Sequence, residues 1–440
     1  MMRRLGHIFH IFIVLCLYLL VLPGCWSRRE VDQLSFVGTV GLDVPDETFQ
    51  GNEIGENPNM GGNHRRQTFR YTAEIMKPRV LGGGGGMLGG GRGGISELPY
   101  VVISVTGQSL WEAERNLAAV TPRTPFFGQA SQIIMSRGFA RRGVYPAVDY
   151  FLRKRDFRGT AWVSVTDDEA QKVLKSAATL EQTTSEEMDG LMEGAKNTGL
   201  GYAATLKDFA LALTSEGRDP ICARISVVSP ARPQEAVGAE SSGPQTFTTA
   251  QAAQMRSGAY RLNGAAVFRK DKLVGFLNPI ETRGALRING KLVREVMTLR
   301  HENSPGEQHE VSVEISHSQT RLKPEIKDGK PRVVVQVIEE GVLGETSSPH
   351  LDVFSPKVTT ELNREFKKKI TQEIEAAIRK ARYLKADVFG FGETIRRAFP
   401  KEWRNLKRNW REEFAHIPVE IEVTATIRRA GHVLRPVPAK

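Results

Sequence analysis

Few side chains in this chain are spaced for chemistry, and their spacing limits what they can do. His301, His309 and His317 recur at intervals of eight, and an even interval brings strand side chains to one face. The remaining histidines are scattered, so a three-histidine metal site is not the expectation. Glu339-Glu340 and Glu412-Glu413 are adjacent pairs. Neighbours point to opposite faces of a strand or diverge by about 100° around a helix, so these pairs read as surface charge rather than as acid and base. Gly390-Phe391-Gly392 follows an aspartate and lacks the third glycine of a dinucleotide fingerprint. Residues 82–94 hold ten glycines in thirteen positions, yet no Gly-Lys-Ser/Thr follows to cradle phosphate. No GxSxG, HExxH or Walker-type motif is present. The sequence therefore offers no catalytic residue and no cofactor motif. Cys222 lies in the apolar run Ile221-Cys222-Ala223 and reads as a small core residue.

One thiol stands apart. Arg3 and Arg4 precede an apolar stretch of 15 residues, 8–22, that ends Leu22-Pro23-Gly24-Cys25. A bilayer takes about 20 apolar residues to span, whereas a shorter run behind positive charge suits a signal-peptide core. The ending resembles the lipobox of bacterial lipoproteins, although Pro23 is less usual there than Ala or Ser. Cleavage between Gly24 and Cys25 would expose Cys25 as residue one, its thiol carrying diacylglycerol and its amine an acyl chain. Each buried methylene contributes about 0.8 kcal/mol, so several chains anchor far better than one. Residues 1–24 are thus expected to be a signal peptide, and the mature chain to be tethered to the outer face of a membrane.

The three cysteines are Cys16, Cys25 and Cys222, which leaves no disulfide framework after processing. The net charge of +11 is uneven, with 20 Lys and Arg against 12 Asp and Glu in residues 351–440. Such a segment faces anionic lipid, an acidic partner or solvent. Nucleic acid is not expected for an exported chain.

Strand patterns occupy residues 35–44, 69–76, 100–106 and 132–135, then 160–165. Helical patterns cover 109–120, with Ser109 as N-cap and Glu112 three residues on, then 141–153, 168–177, 185–196 and 205–214. Residues 230–254 turn to Pro, Ala, Ser, Thr and Gln without periodicity and read as a linker. Beyond it, 260–268 and 273–277 form a hairpin pattern around Arg269-Lys270-Asp271-Lys272. Strands at 311–316 and 332–338 precede a long amphipathic helix over 357–383, and 418–427 closes the chain as an alternating strand. Strands, helices and strands in blocks argue for an α+β fold of two to three domains with antiparallel or mixed sheets. The expected division is 25–229, with room for two subdomains, and 255–440. Trp403, Leu406 and Trp410 fall on one face of a helix whose other positions are basic. Core packing is the plainer reading, and a membrane or subunit interface the sharper one.

The segments Cys25-Trp26-Ser27-Arg28-Arg29-Glu30-Val31-Asp32-Gln33-Leu34 and Val37-Gly38-Thr39-Val40-Gly41-Leu42-Asp43 resemble the mature start of the Ger(x)C spore germination lipoproteins. The likeness continues at Tyr202 and Thr205-Leu206-Lys207-Asp208-Phe209, and at Gly217-Arg218-Asp219-Pro220. It extends to the hairpin from Gly264 to Leu277 with Glu281 and Arg283-Gly284, to Ala386-Asp387-Val388-Phe389-Gly390-Phe391-Gly392, and to Pro400-Lys401-Glu402-Trp403 and Trp410. The resemblance implies a non-enzymatic C subunit of a nutrient germinant receptor, lipid-anchored on the outer face of the inner membrane of a bacterial spore. It implies assembly with an A subunit and a permease-like B subunit, both integral membrane proteins, and an α+β fold of three domains. Only Cys25 carries over as a site residue, and no residue assigns nutrient contact to this subunit. The competing reading is a solute-binding lipoprotein that delivers a ligand to a transporter. It would need two similar α/β lobes, and the strand-rich pattern opposes it.

Overall fold

The structure is a computed structural model that describes residues 30–45, 68–77, 98–176, 178, 180–228, 259–304, 307–327, 330–347, 351 and 355–428. Residues 52–67, the glycine-rich 82–94, the expected linker 230–254 and the signal region with Gly24 and Cys25 lie outside the described residues.

The first sheet is mixed. Its parallel centre consists of β1 (Leu34–Asp43), β5 (Gln132–Ser136), β6 (Trp162–Thr166) and β8 (Ile221–Val228). Antiparallel β2 (Phe69–Met76) and β3 (Tyr100–Gly107) extend one flank, and β9 (Ala259–Arg269) with β10 (Lys272–Leu277) extends the other. Short β4 (Thr124–Phe126) and β7 (Ala204–Thr205) complete the ten strands by pairing with β1 and β6. The hairpin β9–β10 thus lies in the same sheet as the strands before residue 229, so the expected linker joins two neighbouring strands.

Helices cover both faces of this sheet. On one lie α1 (Leu110–Val120), α2 (Arg137–Arg142) and α3 (Tyr145–Arg153). The continuous helix expected over 141–153 is interrupted at Gly143, whose φ of +134° ends α2. On the other face lie α4 (Ala170–Lys175) and α5 (Thr184–Thr198), packed over Ile134, Ala223, Ile225 and Leu262. Two buried strand carboxylates hold these helices by their N-termini. Asp43 accepts from the amides of Ala170 (2.7 Å) and Gln171 (3.0 Å), and Glu74 from those of Thr184 (2.7 Å) and Ser185 (3.2 Å). Such placement satisfies orphan helix donors and opposes the positive end of the dipole. Burial raises the pKa of both acids, and the backbone hydrogen bonds counter part of that rise. Helix α6 (Leu206–Thr214) begins at Thr205, whose hydroxyl accepts from the Asp208 amide, as expected for a cap.

After the hairpin comes α7 (Pro279–Ile288), where Asn278 and Glu281 make a reciprocal capping box. The second sheet follows, ordered β11 (Val296–Ser304), β12 (Glu307–Lys327), β13 (Lys330–Thr346) and β14 (Val419–Arg428). The first three strands are antiparallel, and β14 joins β13 in parallel. Helix α8 (Pro356–Tyr383) buries Leu362, Phe366, Ile370, Ile374 and Ile378, the 3.6-residue stripe written in the sequence. The strands expected at 311–316 and 332–338 are parts of far longer ones. Helices α9 (Phe391–Ala398), α10 (Pro400–Leu406) and α11 (Trp410–His416) close the chain before β14. No helix among the described residues is long and apolar enough to cross a membrane.

Cys222 is fully buried, and burial pushes its thiol well above the usual range. The thiolate is the reactive form. In the native chain the Cys222 peptide is therefore expected to stay unmodified by a thiol reagent at pH 8, and to react fully in denaturant. Mass spectrometry of that peptide checks this; rapid native labelling would place Cys222 outside the core.

Candidate functional site

The residues with chemical potential separate on folding. His301 and His309 stand opposite each other on β11 and β12, whereas His317 pairs with Glu340 further along. At about 3.4 Å per residue, eight strand positions put His309 and His317 about 27 Å apart. No group of three or more His, Cys, Asp or Glu side chains that could hold a metal occurs among the described residues. Glu339 is fully buried while Glu340 reaches Arg428 at the surface, which corrects the reading of the pair as surface charge.

Four of the singled-out motifs converge instead. Leaving α8, the chain turns through Lys385 (φ +50°) and places Asp387 in the interior. One carboxylate oxygen of Asp387 accepts from the amides of Phe389 (3.2 Å), Gly390 (2.9 Å) and Phe391 (3.1 Å). The other accepts from the Gly392 amide (2.8 Å) and from the indole of Trp410 (3.1 Å). This nest bends the chain into α9. Gly390 supplies the left-handed turn at φ +77°, and a Cβ at Gly392 would lie 2.6 Å from the Trp410 ring. The glycines of this segment are thus required by geometry.

The nest is tied to the first sheet by Asp219. The Asp387 amide donates to the Asp219 carboxylate (3.1 Å), and the Asp219 amide donates back to the Asp387 carbonyl (2.8 Å). Asp219 also accepts from the Lys270 amide in the β9–β10 turn (2.9 Å), where Lys270 has φ +57°. Arg411 approaches the same oxygen at 3.4 Å. Beside these, the Glu393 amide donates to the Gly217 carbonyl (3.0 Å), and Asn289 bridges the Tyr202 hydroxyl (2.9 Å) and the Val388 carbonyl (3.2 Å). Burial pushes the Asp387 carboxyl up to about 6, and the charge of Asp219 adds to this; the backbone donors pull it down.

Trp403 and Trp410 lie inside this junction, 3 % and 4 % exposed, with ring centroids 5.1 Å apart. They do not share one continuous helix. The turn tightens at Lys407–Asn409 between α10 and α11, and the indole of Trp403 reaches Glu216 (3.4 Å). Both rings pack within the chain, together with Phe389, Phe391 and Phe414. The burial leaves no ring face of either tryptophan for a membrane or a second subunit.

A second cluster was missed from the sequence. Arg287 on α7 is fully buried. It donates to Glu339 on β13 (2.9 Å), to Glu295 (2.7 Å) and to Glu373 on α8. Arg283, one turn earlier, pairs with Glu295 (2.6 Å) and Glu373 (2.7 Å). Burial weakens the hold of Arg287 on its proton, and the three carboxylates more than reverse that. Burial holds the Glu295 carboxyl above its usual range, against the pull of Arg287. Gly284 lets α7 approach α8, since a Cβ there would meet that of Ala377 at 2.8 Å. The signal in the sequence was Arg283 and Arg287 at i, i+4 around that glycine.

Fold and site together define an α+β protein of mixed sheets packed with helices, in which motifs distant in sequence build an internal joint. Residues 27–227 match the family described as "Spore germination protein N-terminal domain", and residues 263–431 match "Spore germination B3/ GerAC like, C-terminal". The chain belongs to the Ger(x)C family, the C subunits of spore germinant receptors. Similar proteins of Bacillus subtilis (strain 168) include spore germination protein KC, 24% identical over 95% of both chains. Spore germination protein B3 is 22% identical over 96% of this chain and 98% of its own. The crystal structure of the GerBC protein shares the fold, with a TM-score of 0.50 at 17% identity over 90% of this chain and 99% of that one. The protein accordingly has a role in spore germination.

Proposed function

We propose that this protein is a non-catalytic, lipid-anchored subunit of a nutrient germinant receptor. In this reading acylated Cys25 holds it on the outer face of the spore inner membrane, where it assembles with integral membrane A and B subunits. The observation that carries the reading is Leu22-Pro23-Gly24-Cys25 behind a charged n-region and a 15-residue apolar core, in a chain of this family. The physical gain is local concentration: tethering turns docking on a membrane partner into a search within a thin layer. The internal joint supports the same role, because it fixes the sheets as one body able to present a surface.

The test is germination of spores that carry an in-frame deletion or Cys25→Ala, across amino acids, sugars and nucleosides, with a receptor-independent stimulus as control. Loss of the response to some nutrients in both strains, with the control intact, is the expected result. Pull-down of the tagged protein from detergent-solubilised spore membranes should recover the A and B subunits, and Cys25→Ala should lower that recovery at least tenfold. Undiminished recovery and germination in the Cys25→Ala strain would overturn the anchor.

A further inference from the structure

Beside the joint lies a cleft of about 520 Å³ between the first sheet's helix α6 and helix α9, lined by Tyr202, Leu211, Arg218, Lys291, Glu393 and Arg397 among others. A smaller hollow of about 300 Å³ opens against Thr320, Leu322 and Gly390. Arg218 lines both. The larger volume falls within the roughly 300–1,000 Å³ of small-molecule sites, which favour boundaries of this kind.

The charges of the cleft are paired, with one exception. Lys291 meets Asp208 (3.2 Å), and Arg396 and Arg397 both meet Glu393 (2.7 and 3.0 Å). Glu216 is taken by Lys407 (3.7 Å) and the Trp403 indole. Arg218 alone has no ion pair or hydrogen bond among the described residues, and its Nε is buried without a partner. An unpaired buried donor lowers stability, so its presence calls for a cause. The backbone explains the position. Gly217 is held by the Glu393 amide and Asp219 by Lys270 and Asp387, so the residue between them cannot swing away. Its side chain passes over Gly390, where a Cβ would stand 3.4 Å from its Cδ.

We propose that this cleft is a binding site for a small organic carboxylate, whose oxygens the Arg218 guanidinium receives as a planar fork. That fork matches a carboxylate in two-point geometry. The apolar wall of Leu211, Ala212 and Ile221 takes the ligand's hydrocarbon part. The site does not depend on the membrane anchor.

The experiment uses the full chain purified in detergent, with benzoate as probe at constant ionic strength and inorganic phosphate as the competing oxyanion. Saturation-transfer NMR of benzoate should show saturable binding in the millimolar range. Arg218→Gln should weaken it at least tenfold, and Arg218→Lys should restore it only in part. Without ligand, Arg218→Gln should melt at the same temperature as the wild type or higher, because no internal hydrogen bond or ion pair is lost and a buried orphan donor is removed. A clear drop in melting temperature would make Arg218 a structural group and overturn the proposal. So would absence of saturable benzoate binding, equal binding by Arg218→Gln, or binding of phosphate alone.

Discussion

Arg287→Met is expected to destabilise the protein by about 3–5 kcal/mol, the usual cost of removing one partner from a buried ionic cluster. The guanidinium touches Glu295, Glu339 and Glu373 within an interior where it is itself 0 % exposed. Without it, three carboxylates from three segments face one remaining cation, Arg283. Since a domain's stability is about 5–15 kcal/mol, this change should lower the denaturant midpoint steeply and reduce soluble yield. Acid should relieve it. Burial already raises the Glu295 pKa, and removal of Arg287 takes away the group that opposes that rise. An acid whose folded pKa is raised contributes stability below its unfolded pKa and loses it as pH rises through the folded value. The deficit of Arg287→Met should therefore be smaller at pH 5 than at pH 8, by chemical denaturation at both. Adding Glu339→Gln should recover part of the loss at pH 8. A deficit below about 1 kcal/mol, or one independent of pH, would show that the cluster is solvated.

The sequence was legible where a single physical signal governs an element. The apolar stripe of α8, the capping residue Ser109 and the turn at Asp271 are each local, and each is found where the pattern puts it. Local patterns do not show strand length once the apolar alternation stops. Residues after Ser316 on β12 are largely polar at the surface, yet they pair with β13 through the backbone as far as Lys327, because the ladder is made by main-chain groups that every residue except proline carries in full. The break at Gly143 was hidden for the converse reason, since apolar periodicity runs on across it. The joint was legible as motifs but not as a site. Asp219 and Asp387 are 168 positions apart, and nothing in either segment names the other. Trp403 and Trp410 carried two readings for the same cause: spacing gives a face, and only the tertiary partners say what that face meets.

Asp387→Ala tests the joint most directly. It removes the acceptor of four backbone amides and of the Trp410 indole at once, all buried. Each buried donor left without an acceptor costs about 1–3 kcal/mol, and relaxation of the loop returns part of the sum, so a net loss of about 3–5 kcal/mol is expected. Asp387→Asn should be nearly as damaging. Its amide group can keep one acceptor oxygen, but its NH2 then faces the Gly392 and Trp410 donors. Trp410→Phe removes one hydrogen bond and the pyrrole half of a buried indole, and should cost about 2–4 kcal/mol, since bonds to charged groups contribute about 1.5–3 kcal/mol and the truncated ring leaves a cavity. In the double mutant the two losses should fall short of additive, because the indole no longer has a carboxylate to lose. Denaturant unfolding of the four proteins measures this, with tryptophan emission and far-ultraviolet circular dichroism followed in parallel. Loosening confined to the joint should separate the two probes in Asp387→Ala, with the emission change preceding the loss of secondary structure. Coincident transitions with a loss below about 1 kcal/mol would mean that the sheets hold together through α7 and α8 alone, with the aspartate nest a local turn.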